Sequence, residues 1–395
     1  MALMLREENF VVIDVGAYQI KAGMGMHDTN KPPSVIISMA EFNHPIQNNN
    51  IVSWQDLEAS WHHVLFKELA LKKHRNESPV LLTVPVQWTK EEHERITQIF
   101  FENFNVPGIY IAPQPLLALY GCGSVSGIII DIGHTTTDVN VVVDSIVQPQ
   151  SSFSIPVGGQ HFDKYLLQLF QNDVALVETF RQHDIPLDEG FATFVREQPG
   201  VCNVLVGHDV RESMLAAEVP TALDAAPTAA VEEFTDGDTA KDENDTSQVP
   251  EIVEVEYKGH KFSLGSYRHR AFDPLFAVNL LNSDTLSLSE ALRLAVMNCE
   301  PPEIRPRLWE NIVLTGGCSQ TTHLQDNAGD SQPRLINFLR IPDYFTVLKE
   351  KPYQRYSTWL GAEIVAKLVF IDAKNYVSKV DYNESGPAVV HRKSY

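Results

Sequence analysis

Two aspartates, Asp14 and Asp131, sit in the same five-residue pattern, Val12-Ile-Asp-Val-Gly16 and Ile129-Ile-Asp-Ile-Gly133, 117 residues apart. An Asp at the carboxyl end of a strand, followed by Gly and a tight hairpin, suits phosphate chemistry. Backbone N–H groups of the turn converge on phosphate oxygens, glycine removes the Cβ that would block them, and the carboxylate holds waters on a magnesium ion. Two such units facing each other make a clamp, and Thr315-Gly-Gly317 adds a third turn after another strand-like run. A single Asp-x-Gly can simply end a strand. The duplication and the third turn favour the clamp, with Gly16, Gly133, Gly316 and Gly317 as its bare backbone.

These residues need strands to hold them. Phe10–Gly16, Val80–Val84, Gly127–Gly133 and Asn311–Gly317 are short aliphatic runs of the kind buried on both faces of a sheet. Between them lie helical stretches. One begins at Thr89, has Glu92 three residues later in capping-box spacing, and carries apolar Ile96, Ile99 and Phe100. Strands alternating with helices predict an α/β fold with both sheet faces covered. A repeat of 117 residues far exceeds the ~20–50 of solenoids and propellers, so it predicts two related lobes.

The 395 residues suit two or three domains of ~100–200 residues, or one large bilobal body. Lys plus Arg number 31 against 51 acids, a net charge of −20, and a field of that sign repels nucleic acid and anionic membranes. Residues 216–257 hold 12 acids and only Lys241, which concentrates −11 in one segment and leaves −9 elsewhere. Its middle, 218–250, is too polar and charged to offset chain entropy, so it is expected to be a disordered acidic surface insertion. Such a tract suits a basic partner such as a histone tail, although a solvated loop is the plainer reading. Cys122, Cys202, Cys299 and Cys318 are isolated, which argues against a zinc cage or disulfide framework and for a reducing compartment. The start, MALMLREENF, lacks the apolar stretch of a signal peptide, and no run of ~18 apolar residues occurs, so a soluble intracellular protein is expected.

Several segments resemble actin and the actin-related proteins in the same order: Ser53–His63, Thr97–Pro107, Leu119-Tyr120, Tyr356–Gly361 and Gly386–Lys393. Residues 160–300 are the stretch hardest to match. The resemblance implies the bilobal α/β fold shared by actin, hexokinase and chaperone ATPases, with ATP and a divalent metal between the lobes. Residues 1–123 and 356–395 would form the first lobe and 124–355 the second. Asp14 and Asp131 fall on the metal-associated aspartates, Gln114 on the glutamine that orients the attacking water, and Lys21 on the phosphate-contacting lysine. Gly16, Gly133, Gly159, Arg196, Glu197, Gly316, Gly317 and Arg355 match other nucleotide-site positions, Arg196 and Glu197 only loosely.

The departures from that pattern matter as much. Ala17-Tyr18 replaces Ser-Gly in the first hairpin, His134-Thr135 replaces Asp-Gly in the second, and Asp138 replaces the histidine that helps place the lytic water. Each adds bulk or like charge where a polyphosphate should lie, so hydrolysis is expected to be lost, and binding of ATP and Mg to be weakened or absent. Residues 38–45 are too short for the loop that inserts into the next protomer of a filament, so no self-polymerisation is expected. Tyr120, Gly123, Ile364, Val365 and Leu368 match the groove where actin takes amphipathic helices.

Together the resemblance implies a nuclear, non-filamentous subunit of a SWI/SNF- or RSC-class chromatin-remodelling complex. It would bind a helix of the remodelling ATPase beside a second actin-related protein. Two alternatives stay open: the pointed-end cap of dynactin, in the cytoplasm on the cytoskeleton, and an active actin-fold ATPase.

Overall fold

Val11–Val15 (β1) is buried along its whole length, as an aliphatic run without polar alternation must be at the centre of a sheet. The computed structural model describes residues 9–25, 30–203, 251–281, 284–319 and 336–394. The acidic stretch 218–250 lies outside the described residues.

Gln19–Met24 (β2) returns antiparallel to β1, and Val35–Ser38 (β3) pairs with β2. After β3 the chain makes one tight turn, Met39–Phe42, capped by the Ser38 hydroxyl. It then enters a small hairpin of Ile46–Gln47 (β4) and Asn50–Ile51 (β5). Nothing longer is inserted there, so this outer part of the first lobe is reduced, as its sequence predicts. Val80–Val84 (β6) lies parallel to β1, and Gly108–Pro113 (β7) parallel to β6.

The second sheet repeats this plan. Gly127–Ile132 (β8) turns back into Thr137–Val143 (β9), which pairs with Ile146–Val147 (β10) and Phe153–Ile155 (β11). A separate hairpin, Val253–Tyr257 (β12) with His260–Leu264 (β13), packs into the second core through Phe262. Ile312–Thr315 (β14) lies parallel to β8, Phe338–Leu339 (β15) parallel to β14, and Val377–Ser378 (β16) closes the edge of the first sheet against β7. The same hairpin-plus-parallel-strand unit thus occurs twice. Register makes the duplication visible at single residues: Asp14 stands opposite Lys21, and Asp131 opposite Asp138.

Trp54–His63 (α1) and Lys90–Gln98 (α2) cover the first sheet. The capping box at Thr89 and Glu92 forms as its spacing predicts, with both reciprocal hydrogen bonds present. The helix then widens over Ile99–Asn103, where Phe100 and Phe101 enter the core. Gln114–Gly121 (α3) carries the chain from the first sheet to the second. It is crossed by the helix Ser357–Val369 at two glycines: a Cβ on Gly121 would lie 2.0 Å from the Ser357 carbonyl oxygen, and one on Gly361 1.8 Å from that of Leu117. Backbone therefore meets backbone at the junction between the lobes. Among the described residues no helix is long and apolar enough to cross a membrane.

Candidate nucleotide cleft

The strand ends of β1, β8 and β14 converge on one cavity of about 450 Å³ between the lobes. Asp14, Gly16, Lys21, Gln114, Asp131, Gly133, Asp138, Arg196, Glu197, Gly316, Gly317 and Arg355 all line it. Gly159 stands behind its wall, where a Cβ would touch Cys318 Sγ at 3.0 Å. The duplicated hairpins turn in the same way, the Gly16 N–H donating to Gln19 O (3.1 Å) and the Gly133 N–H to Thr136 O (2.9 Å). Gly316 has φ +95°, and a Cβ there would fall 2.3 Å from Asp131 Oδ1, so the third turn requires glycine.

The charged groups are already engaged with one another. Lys21 Nζ donates to Asp14 Oδ2 at 3.0 Å and the Thr83 hydroxyl to Oδ1 at 2.6 Å, while Gln114 Nε2 donates to Val15 O at 2.6 Å. Burial works against the charge on Lys21 and is the largest single influence, but the charge and hydrogen bond of Asp14, with smaller help from Asp131 and Tyr356, together raise the amine's pKa. Asp131 is pushed up to about 7, chiefly by burial and then by the Asp138 charge opposite. Arg196 does not reach freely into the cavity: its Nε and Nη2 grip the two oxygens of Asp163 at 2.5 and 3.2 Å, and Nη1 lies 3.4 Å from Cys318 Sγ. Glu197 beside it is half exposed. Arg355 packs over Tyr356, with its Nε buried and unpaired.

The hairpin tips meet each other. Tyr18 of the first and His134 of the second lie with ring centroids 4.6 Å apart, where the sequence predicts only a bulky ring facing phosphate. Behind His134, the first N–H groups of Gly159–Gln171 (α4) are spent on the second hairpin, Gly159 N donating to Gly133 O and Gln160 N to His134 O. Asp138 is likewise occupied. It accepts from Asn49 Nδ2 at 2.9 and 3.0 Å, from Gln87 Nε2 at 3.1 Å and from the Thr136 hydroxyl at 3.3 Å. Neither Asn49 nor the ring contact is visible in any local motif; a polar Asn-Asn pair in a short hairpin is the only sequence signal for the first.

The His134 imidazole is pushed down to about 4, mainly by burial. Its folded pKa lies below its ordinary value, so the unfolded chain takes the extra proton, and stability falls as pH drops from about 6.5 towards 4. His269, also held near 4 by burial, adds to the same slope. His134→Gln is expected to remove part of that slope, read as a smaller difference between urea midpoints at pH 7 and pH 5 than the wild type shows.

The expected helix-binding surface lies at the far end of the junction. Tyr120, Ile364 and Val365 are partly buried against one core cluster. Gly123, with φ +75°, faces Pro342, and Leu368 is 63% exposed. Two apolar residues not singled out in the sequence are also exposed, Val125 and Ile146, and the Ser145 N–H beside Ile146 donates to Val125 O.

Two duplicated α/β lobes, joined by crossed helices and facing each other through matching Asp hairpins, define the actin class of fold. The chain belongs to the actin family, which matches residues 28–395. It is a divergent actin-related protein, similar to the Actin-related protein 7 of Oryza sativa subsp. indica and of subsp. japonica. Each is 26% identical over 410 residues, covering 98% of this chain and 99% of theirs.

Proposed function

We propose that this chain is a non-hydrolysing, non-filamentous actin-related subunit of a nuclear chromatin-remodelling complex. The observation that carries this reading is the contact between the two hairpin tips, Tyr18 on His134. A metal-bound triphosphate needs bare turn N–H groups and a free Asp pair. Here the rings of Tyr18 and His134 meet across the two turns, and Asp14 is held by Lys21 and Thr83. The residues present therefore do not fit that ligand. Gln114 and Asp138 act as structural hydrogen-bonding groups in this reading.

What remains is a scaffold that binds protein. Exposed Leu368, beside the partly buried Tyr120, Ile364 and Val365, suits the apolar face of an amphipathic helix. We assign that helix to a remodelling ATPase, with a second actin-related protein beside it. The net charge of −20 supports chromatin contact through proteins in preference to DNA. The short connection between β3 and β4 suits a protomer that cannot extend a filament, and it equally suits a pointed-end cap of dynactin.

Two measurements test the reading. The purified chain with Mg-ATP is expected to release phosphate no faster than a buffer blank in a single-turnover assay; an actin-like rate restores the ATPase reading. Mass spectrometry of proteins co-purifying with the endogenous chain is expected to find a remodelling ATPase in nuclear extract. Dynactin subunits in its place select the cap.

A further inference from the structure

The reduced outer part of the first lobe does more than end a missing loop. Its hairpin turns through Asn48 and Asn49, both at positive φ (48° and 61°), the geometry of a two-residue turn that asparagine tolerates well. Buried Ile46 anchors one strand, and Trp88 Nε1 donates to the Asn49 carbonyl at 2.9 Å. The Asn49 carboxamide is thereby delivered across the cleft onto Asp138 of the second lobe. It donates to both carboxylate oxygens, with Ser154 Oγ also 3.3 Å from the same nitrogen, while the single Thr136 hydroxyl proton is shared between Asp138 Oδ2 and Asn49 Oδ1, each at 3.3 Å. Gln87, from the loop after β6, adds a second first-lobe donor to the same carboxylate. Burial raises the pKa of Asp138, and the hydrogen bonds from Asn49, Thr136 and Gln87 oppose that shift by favouring the charged form, to which such bonds are stronger.

We propose that the Asn48-Asn49 turn is a built-in strap that holds the lobes closed, taking the place of a nucleotide bridging the cleft. The carboxylate at 138 is then a positioning group, matched to the amide that reaches it from the other lobe. Closure becomes a constant property of the chain, so the surface offered to a helix keeps one shape whatever the nucleotide concentration. The inference rests on the reading of the cleft as one that does not use ATP.

The test is amide hydrogen exchange on the full chain, followed in residues 44–51, 85–88 and 133–138. Asn49→Asp sets a carboxylate against Asp138 and is expected to speed exchange there by at least about tenfold, the effect of losing one or two charge-assisted bonds, while β6 and β7 stay protected. The double variant Asn49→Asp with Asp138→Asn reverses donor and acceptor and is expected to restore protection to within about threefold. If Asn49→Asp does not fold, Asn49→Ala is read in its place, with the same expected direction. Exchange unchanged in the single variants overturns the strap. Tenfold or greater protection of these segments in the wild type by millimolar Mg-ATP also overturns it. The two readings fail distinguishably: phosphate release with strap-dependent exchange sinks the non-hydrolysing assignment and the strap's role in place of a nucleotide while leaving the lobe contact, and unchanged exchange without phosphate release sinks only the strap.

Discussion

Asp163→Ala is expected to lower stability by about 3–5 kcal/mol, the cost of leaving one member of a buried ion pair alone. Asp163 is 3% exposed and the Arg196 side chain 7%. The carboxylate belongs to α4 and the guanidinium to the helix Glu189–Glu197, so the pair clips one helix onto the other beneath the second hairpin. Thr193 donates to the same carboxylate at 2.8 Å, which uses another of its acceptor sites. Without Asp163, Arg196 keeps its charge beside Cys318 and, at 3.6 Å, the half-exposed Glu197 carboxylate, which water screens and which offsets only part of the desolvation cost. Urea denaturation measures the loss. The double variant Asp163→Ala with Arg196→Met removes both charges and is expected to recover most of it, because an apolar pair in such a site is often neutral. A loss under about 1 kcal/mol in the single variant would show that water reaches the pair and screens it.

Gly361→Ala carries the second large effect. Inside a helix this change ordinarily stabilises by about 0.5–1 kcal/mol, since alanine has the better propensity. The crossing with α3 reverses the sign, because the added methyl would sit 1.8 Å from Leu117 O and 2.6 Å from its carbonyl carbon. Backbone on both sides leaves no side chain to rotate away, so the helices must separate. The expected cost is about 3 kcal/mol, the upper end of ordinary overpacking. Gly317→Ala is the control: its Cβ would meet nothing within 4 Å, and it is expected to shift stability by under about 0.5 kcal/mol. Because Gly361 lies where the lobes join, its variant is also expected to speed hydrogen exchange at the Tyr18 and His134 turns.

Much of the fold was legible because its signals are local. The buried strands announce themselves as aliphatic runs, the helix after Thr89 by its cap and period, and the two lobes by the repeated Asp hairpin. The cleft residues were legible by resemblance, and the structure brings them to one cavity with Gly159 just behind it. Their engagements were not. Arg196 is matched to Asp163, 33 positions away, and Asp138 to Asn49, 89 positions away. No periodicity or spacing rule connects residues so far apart, and both partners are ordinary surface types until the chain packs them.

The sequence by itself determined the class of protein: duplicated strand-Asp-Gly hairpins, a shortened outer segment, and bulky residues at both hairpin tips. Those are statements about residue identity and local geometry, which neighbouring backbone dihedrals and side-chain sterics are enough to set. Only the tertiary structure decided that Tyr18 and His134 touch each other between the hairpins, and that Asn49 crosses to Asp138. Both contacts join residues of different lobes, whose placement is a property of packing over the whole chain, including the close helix crossing at Gly121 and Gly361, and no segment of sequence carries it alone.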